Sequence, residues 1–228
     1  MGKLLIIAAY VVYAAFWIRF CAHILVWWRA VRQTPEPAFA GIAWRGKACA
    51  LGVGDVLFFV RLLMVNPALW IGEWLFHLSF LLVVGRHLRF FLNPIPAWVW
   101  FFQTPGMIAG YILPVTLIYI LIIRLLSKHE KYSSPANTLF LCLVLVISTI
   151  GVLMHALFKP DIVDVKLFIL GIMSFSPAAV PGSMLFMLHF CLILVLIPIL
   201  PSHIFTAPII MLEARKRDLA LHLVIHEK

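Results

Sequence analysis

The chain has 228 residues, of which 64% are hydrophobic and only 12% charged, with a mean hydropathy of +1.07. Soluble domains run near 45–50% apolar and about 25% charged. This composition therefore describes an integral membrane protein, with room for about five spans of roughly 20 residues each. The net charge of +9 does not point to nucleic acid, because the basic residues sit at the ends of apolar runs, where they set membrane orientation.

The first predicted span is 4–28, closed by the interfacial pair Trp27-Trp28. Met1-Gly2-Lys3 leads into an apolar run too long for a signal segment and without a small-residue cleavage site, so it reads as a retained helix. Arg19 and His23, spaced i, i+4, share a face that turns into the bundle, with Arg19 paired to a carboxylate, a carbonyl or a cofactor acid. Residues 29–67 read as a connection broken by Pro35, Pro37, Gly41, Gly46, Gly52 and Gly54. Its apolar stretch 55–65, with Arg61 inside, is expected along the surface or against a partner. The second span, 68–92, is ended by Asn93-Pro94 and Pro96.

Trp98, Trp100, Phe101 and Phe102 mark an interface before the third span, 106–126. Arg124, Lys128, Lys131, Ser133, Ser134 and Pro135 make a polar turn, and the fourth span is 138–158. After Lys159-Pro160-Asp161, the stretch 162–181 carries Asp164, Lys166, Pro177 and Pro181 and reads as a helix lying at the surface. The fifth span, 182–204, contains Pro198 and Pro201, and a basic tail, 211–228, carries Arg215-Lys216-Arg217. The first connection, the third connection and the tail hold twelve Lys and Arg, against five on the opposite side with Arg86 and Arg89 included. The expected fold is thus a single-domain, all-α five-transmembrane-helix bundle with its N-terminus outside and its C-terminus cytoplasmic.

Cys21, Cys142 and Cys191 lie in apolar runs and Cys49 in a predicted loop, with neither metal spacing nor a C-x-x-C-H haem attachment site. The histidines are more telling, because ionisable groups at membrane depth are expensive and usually functional. His77 and His87 are ten residues apart in span two, about 15 Å along a helix. His189 and His203 lie in span five. The opposite directions of the two spans match His77 with His203 on the inner side and His87 with His189 on the outer. Two stacked His–His pairs are what two non-covalently held, bis-imidazole b-type haems require, a ligation suited to electron transfer. Gly85, Ser79 and Gly182 would let a flat macrocycle approach, and Arg86 and Arg89 would pair with propionates of the outer haem. His155 reads as a hydrogen-bonded or quinone-side residue rather than a ligand. No bond-making catalytic residue is expected.

Several stretches resemble the dihaem cytochrome b (gamma) subunit of respiratory nitrate reductase and related membrane subunits of sulfate-reducer redox complexes, those linked to sulfite reductase or to high-molecular-weight cytochrome c. They are Leu75-Phe76-His77 with Gly85-Arg86-His87, Ile150-Gly151-Val152-Leu153-Met154 with Lys159-Pro160-Asp161, Phe186-Met187-Leu188-His189, and Ser202-His203-Ile204-Phe205-Thr206-Ala207-Pro208. The sulfate-reducer branch is the nearer one. The resemblance implies two haem b groups ligated as paired above, menaquinone near the outer haem, and a cytoplasmic Fe–S partner near the inner one. It also implies other membrane subunits, a multihaem cytochrome c, and a bacterial or archaeal cytoplasmic membrane. Two departures stand out. The second histidine pair is closer in sequence here than in the relatives, and Gln103-Thr104-Pro105 stands where quinol-oxidising relatives carry a lysine. Two other readings stay open on the residues alone: a haem-free membrane anchor in which the histidines only join helices, and a transmembrane haem reductase acting on an external acceptor.

Overall fold

In a bilayer a long apolar segment has no water for its backbone, and a helix answers this by closing each N–H on a carbonyl of the same segment. A computed structural model describes residues 2–33, 42–126 and 134–226. Among these residues the chain is helical and contains no strand. The elements are α1 (Gly2–Gln33), α2 (Ile42–Phe58), α3 (Val60–Val65), α4 (Pro67–His87, extended by a 3-10 turn Leu88–Phe90), α5 (Ala97–Phe101), α6 (Gln103–Leu126), α7 (Pro135–Ala156), α8 (Ile162–Met173), α9 (Met184–Leu196) and α10 (Leu200–His226). Among the described residues, four stretches are long and apolar enough to cross a membrane: Gly2–Arg29, Pro67–Phe90, Gln103–Leu126 and Pro135–Ala156. The chain is a multi-pass membrane protein.

These four helices occupy the first four expected spans. The expected fifth, 182–204, is not one helix. α9 has 13 residues, about 20 Å long, and the chain turns at 197–199, around Pro198, before α10 begins. Proline removes a backbone donor and pushes the residue before it out of the helical region, which accounts for the break. Pro35, Pro37, Gly41, Lys128, Lys131 and Ser133 lie outside the described residues.

Helix starts follow local chemistry. Ser134 caps α7 by accepting from Asn137 N–H at 3.2 Å, with Pro135 in the first turn. Asp161 caps α8, its Oδ1 accepting from Val163 and Asp164 N–H at 2.7 and 3.3 Å. α8 ends with Phe175 in the left-handed region (φ 56°), while Ser176 N–H bonds Gly171 O at 2.9 Å and Phe175 N–H bonds Ile172 O at 3.3 Å. This is a Schellman end with a bulky residue where glycine is usual. Tyr10 holds it in place, donating its hydroxyl to Ile172 O at 3.1 Å and stacking on Phe175 at 5.4 Å.

The chain divides into two compact units. The first comprises Met1–Val12 and Ala68–Leu196. Its core sets Val165, Phe168 and Ile169 of α8 against Phe186 of α9, flanked by Leu5, Ile6, Phe90 and Met154. The stretch expected at the surface thus sinks one face of α8 into this core, while Ile162, Val163, Leu167 and Met173 stay exposed. Small residues bring α4 and α6 together, as membrane packing favours. A Cβ at Gly106 would fall 2.6 Å from both Leu82 O and Arg86 Cβ. Toward the other end, Arg124 donates to Glu73 at 2.8 Å and Tyr119 to Ala68 O at 3.0 Å.

The second unit comprises Tyr13–Pro67 and Ile197–Lys228. The region that reads as a broken loop forms α2, with Cys49 inside it, and the basic tail continues as α10. Tertiary packing overrides the glycines here. A Cβ at Gly52 would meet the Leu212 side chain at 2.5 Å, so the bare glycine lets α10 approach. Asp55, 1% exposed, accepts from Arg215 Nη2 at 3.1 Å and from Arg61 Nε at 3.3 Å, and Arg61 also pairs with Asp218. Phe59, at φ 49°, turns α2 into α3. Arg19 is exposed on α1 and pairs with no described residue, unlike the partner expected for it.

Removing one member of a buried ion pair leaves the others without compensation. Asp55→Asn is expected to destabilise the α2–α10 contact by about 3 kcal/mol and to speed tryptic cleavage at 215–217. Asp218→Asn, at a half-exposed carboxylate, should cost about 1 kcal/mol or less and leave the cleavage rate near that of the parent chain.

Candidate functional site

The candidate residues of the first unit gather at the end where α4 finishes and α6 starts. His87 closes α4, and its Nδ1 lies 2.7 Å from Val83 O. A carbonyl has no proton, so the ring must donate Nδ1–H, which leaves the lone pair of the neutral imidazole on Nε2. The ring is exposed at the end of the helix.

His189, in α9, lies close enough to His87 for the two rings to interact electrostatically. Its Nδ1 is buried and makes no hydrogen bond of good geometry, although the Ile147 backbone of α7 lies close enough to act on the ring. Its Cε1 sits 3.5 Å from where a Cβ on Gly151 of α7 would be. The pair expected to share the outer level is therefore brought together by α4 and α9, with α7 behind it. A buried ring nitrogen without a partner is a position where a ligand would supply the missing interaction.

The basic residues expected beside this pair are there too. Arg89 donates Nη1–H to Gln103 Oε1 at 2.9 Å and lies over the Phe90 ring at 4.7 Å. Arg89 Nε and Gln103 Nε2 are both buried without partners. Two neighbouring side chains with unsatisfied donors await an acceptor, and a carboxylate fits best. Arg86 interacts with Tyr111, whose hydroxyl lies 3.0 Å from His155 Nδ1.

His77 sits about 15 Å up α4 and repeats the pattern, its Nδ1 donating to Glu73 O at 2.7 Å. The Glu73 carboxylate is engaged by Arg124 and so is neutralised beside it. His203 falls within α10, but its side chain lies outside the described residues. Of the small residues expected to admit a macrocycle, Gly85 is filled, because a Cβ there would meet the Phe102 ring at 2.8 Å. Ser79 is buried, and Gly182 borders open space. Sequence spacing overlooked Tyr111 and the role of Gly151 against His189. Neither carries a local signal, since each acts across a helix–helix contact.

Among the described residues, no three His, Cys, Asp or Glu side chains gather as a metal set. A bare transition metal usually takes three or four protein ligands, whereas a haem brings four nitrogens and needs two imidazoles. The donors at His87 and His189, with the unsatisfied groups of Arg89 and Gln103, fit a haem and its propionate.

No protein-family model matches the chain, and no solved structure matches it. It is similar to curated proteins named Hdr-like menaquinol oxidoreductase cytochrome b-like subunit. The relative from Archaeoglobus profundus is 34% identical over 149 residues, covering 58% of this chain and 44% of that protein. The one from Archaeoglobus fulgidus is 33% identical over 119 residues, covering 47% of this chain and 36% of that protein. The chain spans less than half the length of these curated relatives, and the similarity is consistent with a cytochrome b membrane subunit of the sulfate-reducer kind.

Proposed function

We propose that the chain is a membrane electron-transfer subunit that holds two bis-histidine b-type haems. In this reading it relays electrons between a quinone pool, or an extracytoplasmic redox subunit, and a cytoplasmic Fe–S subunit. The observation that carries it is that His87 and His189, at one end of a membrane-helix unit, are near enough to act on each other electrostatically. The relatives' printed names, which pair a cytochrome b-like subunit with menaquinol oxidation, support the same reading.

Bound haem would supply a one-electron iron couple. The chain's residues would do the holding. The His87 bond to Val83 O fixes the tautomer and aims Nε2, the second-shell arrangement that metal-bound histidines favour. Arg86, Arg89 and Gln103 would receive propionates at the same end. His77, held by Glu73 O, would serve the inner haem. Its partner His203 rests on the sequence and the resemblance.

The packing of α2 on α10 supports the five-span, N-outside topology. In this reading the segments joined through Asp55 and Arg215 would lie on one side of the membrane, an arrangement their ion pair favours. Between them run three helices long enough to cross, Pro67–Phe90, Gln103–Leu126 and Pro135–Ala156. Three crossings would leave α2 and α10 on opposite sides. A fourth crossing, by α9 and the start of α10, restores the parity. The surplus of Lys and Arg on the α2 and α10 side makes that side cytoplasmic.

The purified protein should show a b-type α-band in its reduced-minus-oxidised spectrum, with two haems per chain by pyridine haemochrome. A protein that folds in the membrane and lacks this band would instead be a haem-free anchor. For topology, a single-cysteine protein retaining Cys49, with Cys21, Cys142 and Cys191 replaced by serine, should react with an impermeant maleimide in inverted vesicles. Lys216→Cys, with Cys49 also replaced, should behave alike. Reaction of the two positions from opposite sides would contradict the five-span topology.

A further inference from the structure

Tyr111 and His155 are the polar pair at this end that haem ligation does not use. They come from α6 and α7, their rings meet edge to face at 5.9 Å, and the Tyr111 hydroxyl lies 3.0 Å from His155 Nδ1. Both are exposed. They open onto a face where Ile108, Ile112 and Val115 are exposed as well, a surface suited to lipid. A hydrogen-bonding pair turned toward lipid at helix depth is costly unless something from the lipid phase uses it.

Three further features define what that ligand is. The charges that act on His155 are cationic, from Arg86, Lys159 and Arg89, which favours an electron-rich oxygen as ligand. His155 Nε2 has no partner among the described residues, so the imidazole can make one more bond. Next to Tyr111, a Cβ on Gly110 would meet nothing within 4 Å, which leaves room for a flat ring. One helical turn from His155 on the same face of α7, Gly151 borders His189, so the dyad adjoins the histidine pair.

We propose that the Tyr111–His155 dyad binds the head group of a lipid-soluble quinone, one ring oxygen hydrogen-bonding to the dyad. The assignment rests on reading the chain as a membrane electron-transfer subunit. It names the residues through which the quinone pool would meet this chain, with Gln103 committed instead to Arg89. With the Tyr111 hydroxyl donating to His155 Nδ1, the ring is held with its proton on Nε2, which donates to the quinone oxygen, and the cations behind the pair favour oxygen with high electron density.

The test is saturable binding of menadione to the full chain in lipid nanodiscs, by equilibrium dialysis, with the haem band read on the same samples. Tyr111→Phe and His155→Gln should each weaken binding about tenfold, and the double variant about as much as the weaker single one. Tyr119→Phe, at a tyrosine bonded to Ala68 O toward the other end of the unit, should leave binding unchanged. Unaltered binding in the dyad variants, even with a lowered thermal midpoint, would make the pair an interhelical tie and overturn the proposal. Equal loss in Tyr119→Phe would overturn it too. The haem band separates the two readings: its absence in the parent chain refutes the haem reading, while dyad-dependent menadione binding still stands or falls by itself.

Discussion

An imidazole inside a bilayer has two nitrogens to satisfy and no water to satisfy them. At His87 and His77 the chain meets half of that demand from the same helix, by an Nδ1–H bond to the carbonyl four residues back. The bond holds the ring against the helix and fixes the tautomer, so the lone pair is carried by Nε2. Everything proposed for this end of the molecule depends on that constraint. Under the proposed function it would leave His87 Nε2 free to ligate, set it near the buried ring of His189, and put the cations where a carboxylate-bearing cofactor would present its acids.

The second unit contributes in another way. A buried carboxylate shared by two arginines is a strong directional tie, and here it joins segments that are about 160 residues apart in sequence. Because membrane helices cross or do not cross, such a tie constrains the count of crossings between its ends. Neither α9 nor α10 has the look of an ordinary span, since the prolines at 198 and 201 interrupt the run. In the proposed topology the fifth crossing falls here, where no single helix is long enough to cross by itself.

Much of this was legible in residue order. Apolar runs bounded by Asn93-Pro94 and Ser134-Pro135 mark helix limits because their causes are local, proline geometry and capping, whereas α1 continues past Trp27-Trp28 to Gln33. The ten-residue spacing of His77 and His87 is likewise a single-helix property. What was not legible depends on distant partners. Gly85 looks open beside its histidine, yet Phe102 fills it from beyond the next turn. The glycines at 46, 52 and 54 read as loop, yet all three lie inside α2, and α10 packs against Gly52. Gln103 reads as a missing lysine, yet it bonds Arg89. Tyr111 resembles any interfacial aromatic until α7 brings His155 to it.

The central claim is that His87 and His189 share one iron, and haem counting in single and double variants tests it most directly. His87→Ala and His189→Ala should each retain one haem of two, with the same spectral component lost. The double variant should also retain one. A double variant with no haem, or single variants that lose different components, would contradict the shared site.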